Sequence, residues 1–190
     1  MSWSVINLNA VVPMPWKNGG GTTRELVAWP KADNWLWRMS VAEVTQSGPF
    51  SRFEGVERWF AVLSGAGVTL TTAGQKHTLT QARQPFCFDG ALAAECELID
   101  GATQDFNLMV RQANVKARMT HHRAPFGLIV ESSNTVAIFI MDTRASVQFE
   151  SEIAEFDPGT LIWRRVDKGD HIQLETSSAL LIEMTQKESP

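Results

Sequence analysis

Arginine, serine and asparagine side chains recur at alternate positions of strand-like segments in the first half of this chain. In WLWRMSVAEV (35–44), a period of two places Arg38 and Ser40 on one face and the bulky apolar residues on the other. An arginine followed by small residues fills a barrel interior poorly. This face therefore either leaves room for a bound acid or meets solvent.

Two further segments supply polar groups of the same kind. In QDFNLMVR (104–111), Asp105 and Asn107 share a face, and in ERWFAVL the side chain of Arg58 shares its face with Phe60. An arginine that points inward needs a partner, because an unpaired buried charge is very costly. Asp105 or a carboxylate ligand would serve, since a guanidinium grips a carboxylate with two parallel hydrogen bonds. The segments together predict a pocket in the first half of the chain.

The stretch PWKNGGGTTREL (15–26) has three consecutive glycines after a lysine and an asparagine. It fits neither a phosphate loop nor a dinucleotide motif, because Lys17 precedes the glycines and Arg24 occupies the place of the last motif glycine. Two interpretations remain open. The glycines form a tight turn that begins a strand, or Lys17, Asn18 and the glycine amides form a pocket rim that faces an anion.

Motifs for metal or nucleophilic catalysis are missing from the sequence. Small barrels of the cupin type hold a metal through an H-x-H pair, a nearby glutamate and a later histidine. The four histidines are His77, His121, His122 and His171. They include no H-x-H pair. The sequence also has no G-x-S-x-G motif and no Cys–His pair whose surroundings indicate a nucleophile. We therefore predict no metal and no cofactor.

The composition is that of an ordinary globular protein of 190 residues, with 44% hydrophobic and 20% charged residues. A formal net charge of −4 argues against a nucleic-acid partner, which would need phosphate neutralisation. No signal peptide and no apolar run that could span a bilayer is recognisable, so no membrane partner is predicted. Two cysteines without a C-x-x-C spacing, Cys87 and Cys96, favour a reducing cytoplasm with both thiols buried and inert.

Period-2 patterns interrupted by Gly, Pro and Asp dominate the chain and predict an antiparallel all-β fold with little helix. The strand-like segments of the first half are 22–29, 35–44, 58–65, 66–74, 84–90, 94–101 and 104–111. Spacings of this kind are typical of sandwiches and barrels.

The second half repeats the order of these segments, although sequence identity is nearly lost. RWFAVLSGAGVTL resembles VAIFIMDTRASVQF, RQPFCFDG parallels FDPGTLIW, AAECELIDG parallels KGDHIQLE, and QDFNLMV parallels SALLIEM. Such a repeat predicts two copies of one small barrel, tightly fused, with residues 1–112 carrying the pocket and residues 113–190 forming a degenerate, structural copy. The polar segment 111–124 between them is interpreted as a solvated linker.

Five segments taken together resemble, in order, the characteristic blocks of the HutD/Ves family. They are WKNGGGTTREL, WRMSVAEV, GPFSRFEGVERWFAVLSGAGV, PFCFDG and LIDGATQDFNLMVRQ. The resemblance covers roughly the first 112 residues and is diffuse afterwards. One block departs from the family pattern, because Gln112 stands where a second arginine is common, which bears on a contact at the pocket rim.

The resemblance implies a double cupin-like β-barrel (a bicupin) without the usual metal ligands. It also implies a regulatory or ligand-sensing link to histidine utilisation in bacteria, whereas Ves relatives are associated with cold and stress responses. No enzymatic activity is firmly attached to the family. The polar residues that the family shares correspond here to Asn18, Arg24, Arg38, Ser40, Arg58, Asp105 and Asn107.

These observations favour a non-enzymatic binder of a small carboxylate, such as formylglutamate or another acidic intermediate of histidine breakdown. The alternative is a metal-free cupin-like enzyme, an isomerase or lyase that acts on a similar acid. A purely structural or partner-binding protein is a third class. A homodimer is compatible with the sequence.

Overall fold

The computed structural model describes residues 2–187, and almost all of their regular structure is β-strand. The exception is a 3-10 turn of three residues, Leu8–Ala10. The predicted all-β class with little helix is therefore confirmed. No helix in the described part of the chain has the length and apolar character needed to cross a membrane.

Nineteen strands make up the described fold. In chain order they are β1 (Ser4–Asn7), β2 (Met14–Pro15), β3 (Gly21–Trp29), β4 (Trp37–Val44), β5 (Gly48–Phe50), β6 (Val56–Ser64), β7 (Val68–Thr72), β8 (Gln75–Leu79), β9 (Phe86–Asp89), β10 (Ala94–Leu98), β11 (Thr103–Arg111), β12 (Val115–His122), β13 (Phe126–Ile129), β14 (Asn134–Ile140), β15 (Ala145–Phe149), β16 (Glu152–Phe156), β17 (Thr160–Val166), β18 (His171–Glu175) and β19 (Ala179–Gln186). They form four sheets, and the registered strand pairs are antiparallel.

The chain divides into two units. Residues 11–115 form one unit with a six-stranded sheet, ordered β2-β3-β4-β11-β6-β9, and a four-stranded sheet, ordered β5-β10-β7-β8. Alternate side chains of both sheets, among them Phe60, Leu70 and Cys96, pack into one hydrophobic core. This unit contains the pocket described below.

The other described unit consists of residues 116–187 together with residues 2–10. Its sheets are ordered β1-β17-β14-β19-β12 and β13-β18-β15-β16. The sequence predicted that the first 112 residues belong together, whereas residues 2–10 lie in this unit, because β1 pairs with β17. Strand β1 thereby adds an edge strand to the five-stranded sheet.

The strand order of the first unit recurs in the second. Adding eight to each strand number turns β4-β11-β6-β9 into β12-β19-β14-β17, and β5-β10-β7-β8 into β13-β18-β15-β16. The segment pairs that were matched in the sequence form equivalent strands of the two units, for example β11 and β19. The interpretation of 111–124 as a solvated linker was wrong, because β12 lies beside β19 as β4 lies beside β11. Its alternating buried residues, including Met119 and His121, had been obscured by the Lys and Arg residues between them.

Both cysteines are free thiols, with Cys96 buried and Cys87 half-buried. Burial is the main cause that raises the pKa of each thiol to about 12. Both therefore remain protonated at neutral pH and are poor nucleophiles.

The three consecutive glycines form a hairpin turn between β2 and β3. The amide of Trp16 donates to the carbonyl of Gly21 at 2.9 Å, and Gly19 has a positive φ of 73°. A Cβ on Gly21 would overlap the backbone carbonyl of Glu43 on the neighbouring strand. Gly21 is thus required by the close approach of two strands, which favours the interpretation of this stretch as a tight turn.

We expect Gly21→Ala to destabilise the protein by about 1–3 kcal/mol, because the atom it meets is a backbone oxygen that cannot move without disturbing the sheet. Gly48→Ala is the matched control, since Gly48 also lies on a strand and a Cβ there would meet nothing within 4 Å. Urea unfolding of both variants measures the difference. Equal midpoints for the two variants would contradict the proposed clash.

Candidate functional site

Three neighbouring strands, β4, β11 and β6, place alternate side chains in rows across one face of the six-stranded sheet. The central strand β11 pairs with both others, so its register defines each row. The first row is Arg38, Met109 and Arg58, the second is Ser40, Asn107 and Phe60, and the third is Ala42, Asp105 and Val62. The period of two in the sequence therefore predicted correctly which residues of each strand share a face.

The first two rows, together with Ala42 of the third, form one wall of a cavity of about 490 Å³. Its polar lining residues are Lys17, Asn18, Thr23, Arg38, Ser40, Ser51, Arg58 and Asn107. Its apolar lining residues are Pro15, Trp16, Ala42, Pro49, Phe50, Phe53, Phe60 and Met109. Among these residues the ionisable side chains are Lys17, Arg38 and Arg58, all of them cations. An apolar cavity with a few convergent polar groups is the usual form of a small-molecule site.

Arg58 is the most deeply buried cation of the cavity, with 6% of its surface exposed. One terminal nitrogen, Nη1, donates to the backbone carbonyl of Ser51 at 3.2 Å, and Nη2 donates to Oδ1 of Asn107 at 3.4 Å. The Nε atom is buried without a hydrogen-bond partner. The guanidinium thus retains unused capacity to donate hydrogen bonds.

Aromatic rings surround the Arg58 guanidinium where a carboxylate would be expected. Its central carbon lies 5.3 Å from the ring centroid of Phe50, 5.7 Å from that of Phe53 and 5.0 Å from that of Phe88. Such contacts attract a cation without neutralising it. Burial, and secondly the charge of Arg38, lower the pKa of Arg58 to about 10. Arg58 is therefore still a cation at neutral pH.

Arg38, at the other end of the same row, is more accessible. Its Nη1 lies 3.6 Å from a carboxylate oxygen of Glu25, and its guanidinium lies 5.7 Å from the ring centroid of Trp35. The two side chains of this ion pair are 22% and 40% exposed, so the pair is worth little, within about 1 kcal/mol. A bound anion could therefore replace Glu25 at little cost.

The hairpin turn supplies the remaining part of the cavity wall. The indole Nε1 of Trp16 donates to Oγ1 of Thr23 at 2.7 Å, which fixes both side chains across the hairpin. The side chain of Asn18 accepts a hydrogen bond from the amide of Gly20 at 3.1 Å. Lys17 and Asn18 line the cavity, whereas none of the three glycines does. The glycines position the rim and do not form it.

The structure brings five of the seven predicted residues to the cavity: Asn18, Arg38, Ser40, Arg58 and Asn107. It does not bring Arg24 there. Arg24 pairs with Val41, whose side chain lies on the sheet face opposite to that of Ser40, while Thr23 faces the cavity. Alternation along β3 explains this difference, since neighbouring residues of a strand point to opposite faces.

Asp105, the seventh residue, is fully buried and does not line the cavity, although Ala42 of the same row does. Asp105 does not compensate the charge of Arg58, which lies two rows away, roughly 13 Å along the strand. Oγ1 of Thr103 donates to Oδ2 of Asp105 at 2.7 Å, and Oδ1 is buried without a partner. Burial raises the pKa of Asp105 to about 7, although the hydrogen bond from Thr103 opposes this shift.

Several lining residues were not recognised in the sequence. Thr23 could have been found from its alternation with Arg24, but the aromatic residues Phe50 and Phe53 follow no period that points to a site. Glu25, the partner of Arg38, shares its face with Thr23 by the same alternation, because the register shift in β3 comes only after it. Residues 2–187 contain no group of three or more His, Cys, Asp or Glu side chains placed to hold a metal ion.

Fold and cavity define this chain as an all-β protein of two units, one of which encloses a cation-lined cavity. The HutD family model matches residues 8–189. The chain therefore belongs to the HutD family. An uncharacterised 21.2 kDa protein from the hutC 3′ region of Pseudomonas putida is 35% identical over 136 residues, which is 70% of this chain and 71% of that protein. Protein Ves of Escherichia fergusonii is 39% identical over 107 residues, 55% of this chain and 56% of the relative.

Solved structures agree with this assignment. HutD from Pseudomonas fluorescens SBW25, solved in a formate condition, is 31% identical with a TM-score of 0.83, covering 98% of this chain and 100% of that one. A conserved protein of unknown function from Pseudomonas aeruginosa PAO1 is 27% identical with a TM-score of 0.89 at the same coverage. Oxalate decarboxylase from Lactobacillus farciminis, at 8% identity and a TM-score of 0.67 over 97% of this chain and 86% of that one, shares the cupin-like fold alone.

The buried carboxyl of Asp105 makes the stability of the protein depend on pH. Below about pH 4 the side chain is protonated in both the folded and the unfolded state. As the pH rises towards 7, the unfolded chain releases this proton while the folded protein retains it, so the free energy of unfolding falls. A shift from 3.8 to about 7 corresponds to a loss on the order of 4 kcal/mol, complete above the folded pKa.

We therefore expect Asp105→Asn to gain stability relative to the wild type as the pH rises from 4 to 8. Asparagine has nearly the same shape, can still accept the hydrogen bond from Thr103 and does not ionise. Urea unfolding at pH 4, 6 and 8 measures the difference. If the free energies of unfolding of the two proteins changed with pH in parallel, Asp105 would have the same pKa in the folded and the unfolded state. That result would contradict the prediction.

Proposed function

We propose that this protein is a non-enzymatic binder of a small carboxylate, with a sensing or regulatory role. One observation carries the proposal: two guanidinium groups and the amide of Asn107 converge on a single cavity whose ionisable lining groups are all cations. Arg58 has an unused buried donor, and Arg38 is held by an ion pair that a ligand can replace. A carboxylate would supply the missing negative charge.

The spacing of the two arginines favours a ligand with two acceptor groups. Met109 lies between Arg38 and Arg58 in the first row, so the cavity presents two separate guanidinium groups. An acyl-glutamate such as formylglutamate carries two carboxylates, one for each guanidinium. The hut region of the Pseudomonas putida relative supports a ligand from histidine breakdown.

The alternative function is a metal-free isomerase or lyase that acts on a similar acid. Such an enzyme needs a positioned base or acid within reach of the substrate. The lining groups of the cavity offer cations and amides, and Asp105 lies one row beyond them. This arrangement suits the holding of an acid better than its conversion. A structural role alone does not account for two charged groups in an apolar cavity.

We further infer that the two units arose by duplication of one cupin-like barrel. The recurring strand order, with its constant offset of eight, supports this inference. The two free, protonated thiols support a reducing cytoplasm as the location of the protein. An experimental structure in which the two units superpose strand for strand would test the duplication.

Arg58→Met tests the binding function. Methionine retains much of the packing against the phenyl rings and removes the guanidinium. We expect binding of formylglutamate or formate to weaken by about 1.5–3 kcal/mol, the usual worth of a hydrogen bond to a charged group. Stability should change little or rise, because a poorly compensated charge leaves the interior.

The matched control is Arg83→Met, which removes the same charge from an exposed residue of the same unit. Isothermal titration calorimetry gives the affinities, and thermal unfolding shows that each variant is folded. The binding function is rejected if neither acid binds the wild type, or if both variants bind as the wild type does. Consumption of the acid, followed by NMR over time, would favour the enzyme instead.

A further inference from the structure

Asp105 lies at the edge of the cavity, on the same sheet face as the residues that line it and in the same row as Ala42. Its neighbours across the sheet are Ala42 and Val62, which are apolar. The carboxyl is fully buried, accepts one hydrogen bond from Thr103 and has one oxygen without a partner. A buried carboxylate with a single donor is costly in its ionised form.

The other titratable groups on this side of the core do not neutralise Asp105. Cys96, on the facing strand β10, acts on it as a protonated thiol, because its own pKa is raised to about 12. His77 of β8 faces the core beyond Leu70 and stacks on Phe86, with ring centroids 4.2 Å apart. The side chains of Glu43 and Glu97 are exposed.

The positive charges along this sheet face are Arg38 and Arg58, two rows away in the cavity. Asn107 lies between them and Asp105. Its Oδ1 accepts from Nη2 of Arg58 at 3.4 Å, and its Nδ2 donates to the backbone carbonyl of Asp105 at 3.4 Å. The Arg58 guanidinium and Asp105 are thus connected through a single amide side chain. Burial, and not the charge of an arginine, is the main cause of the raised pKa of Asp105.

We propose that Asp105 is a proton-binding site coupled to the cavity, so that the protein takes up a proton when it binds a small carboxylate. This inference rests on the proposed binding function. In the free protein, Arg38 is paired with Glu25, and Arg58 is linked to Asp105 through Asn107. A bound carboxylate places a negative charge in the cavity beside the buried carboxyl, which favours the protonated form of Asp105.

The proton comes from the buffer and binds to a carboxylate oxygen of Asp105, so the complex gains one ligand and a fraction of a proton. Because burial raises the pKa of Asp105 to about 7, this side chain is only partly protonated in the free protein at neutral pH. The coupling is thus measurable between pH 6 and pH 8. A rise of one pKa unit on binding corresponds to an uptake of about 0.4 proton at pH 7 and to about fivefold weaker binding at pH 8 than at pH 6.

The test is calorimetric titration of the wild type with formate and formylglutamate at pH 7 in phosphate and in Tris, whose ionisation enthalpies differ. The dependence of the apparent binding enthalpy on the buffer gives the number of protons taken up. We expect about 0.4 proton for the wild type and none for Asp105→Asn, which still binds the acid. Asp100→Asn, the same change at an exposed residue, should retain the uptake.

The outcomes separate this inference from the proposed function. Binding without proton uptake by the wild type, or with equal uptake by Asp105→Asn, overturns the coupling and leaves the binding function intact. Absence of binding by the wild type overturns both. If Asp105→Asn does not fold, infrared spectroscopy of the wild type decides instead. The band of a protonated buried carboxyl should then grow when formate is added at pH 7, and an unchanged band contradicts the coupling.

Discussion

The register of β11 between β4 and β6 is the constraint on which the candidate site depends. Because β11 pairs with both neighbours along most of its length, every second side chain of the three strands falls into a common row. A shift of one residue in β11 would turn Asn107 and Met109 to the other face and bring Phe106 and Leu108 to the cavity. The apolar face opposite the cavity, fully buried at Phe106 and Leu108, therefore also fixes the polar site.

On the cavity face of β4, β11 and β6, charged and neutral polar side chains lie in separate rows. The cations lie in the first row, a neutral amide and a hydroxyl lie in the second, and the acid lies in the third. Asp105 is too far along the strand to form an ion pair with Arg58, so phenyl rings and a backbone carbonyl surround the guanidinium instead. This separation leaves both charges incompletely compensated, which makes the site responsive to an incoming anion and to a proton.

Alternation in the sequence was sufficient to predict the all-β class and the shared face of Arg38, Ser40, Arg58 and Asn107. It could not show how far apart the rows lie, and so Asp105 was taken as a partner of Arg58. Arg24 was assigned from the family resemblance, whereas its face follows from the pairing of β3 with β4. Strand β12 was missed because charged residues on its exposed positions resemble those of a linker. Pairing between strands decides all three cases, and for Asp105 and β12 the paired strands are distant in the sequence.

The second unit shows which side chains occupy the corresponding positions of the recurring strand order. By the matched segments, Val136 takes the place of Arg58, Leu181 that of Asn107, and Ala179 that of Asp105. All three are buried within one apolar core cluster. Apolar side chains at these three positions satisfy the fold, although a buried arginine, Arg164, lies beside Val136 and over the ring of Phe149. The guanidinium of Arg58 and the carboxyl of Asp105 are therefore not needed at their own positions to form the sheets, and a ligand accounts for them better than stability does.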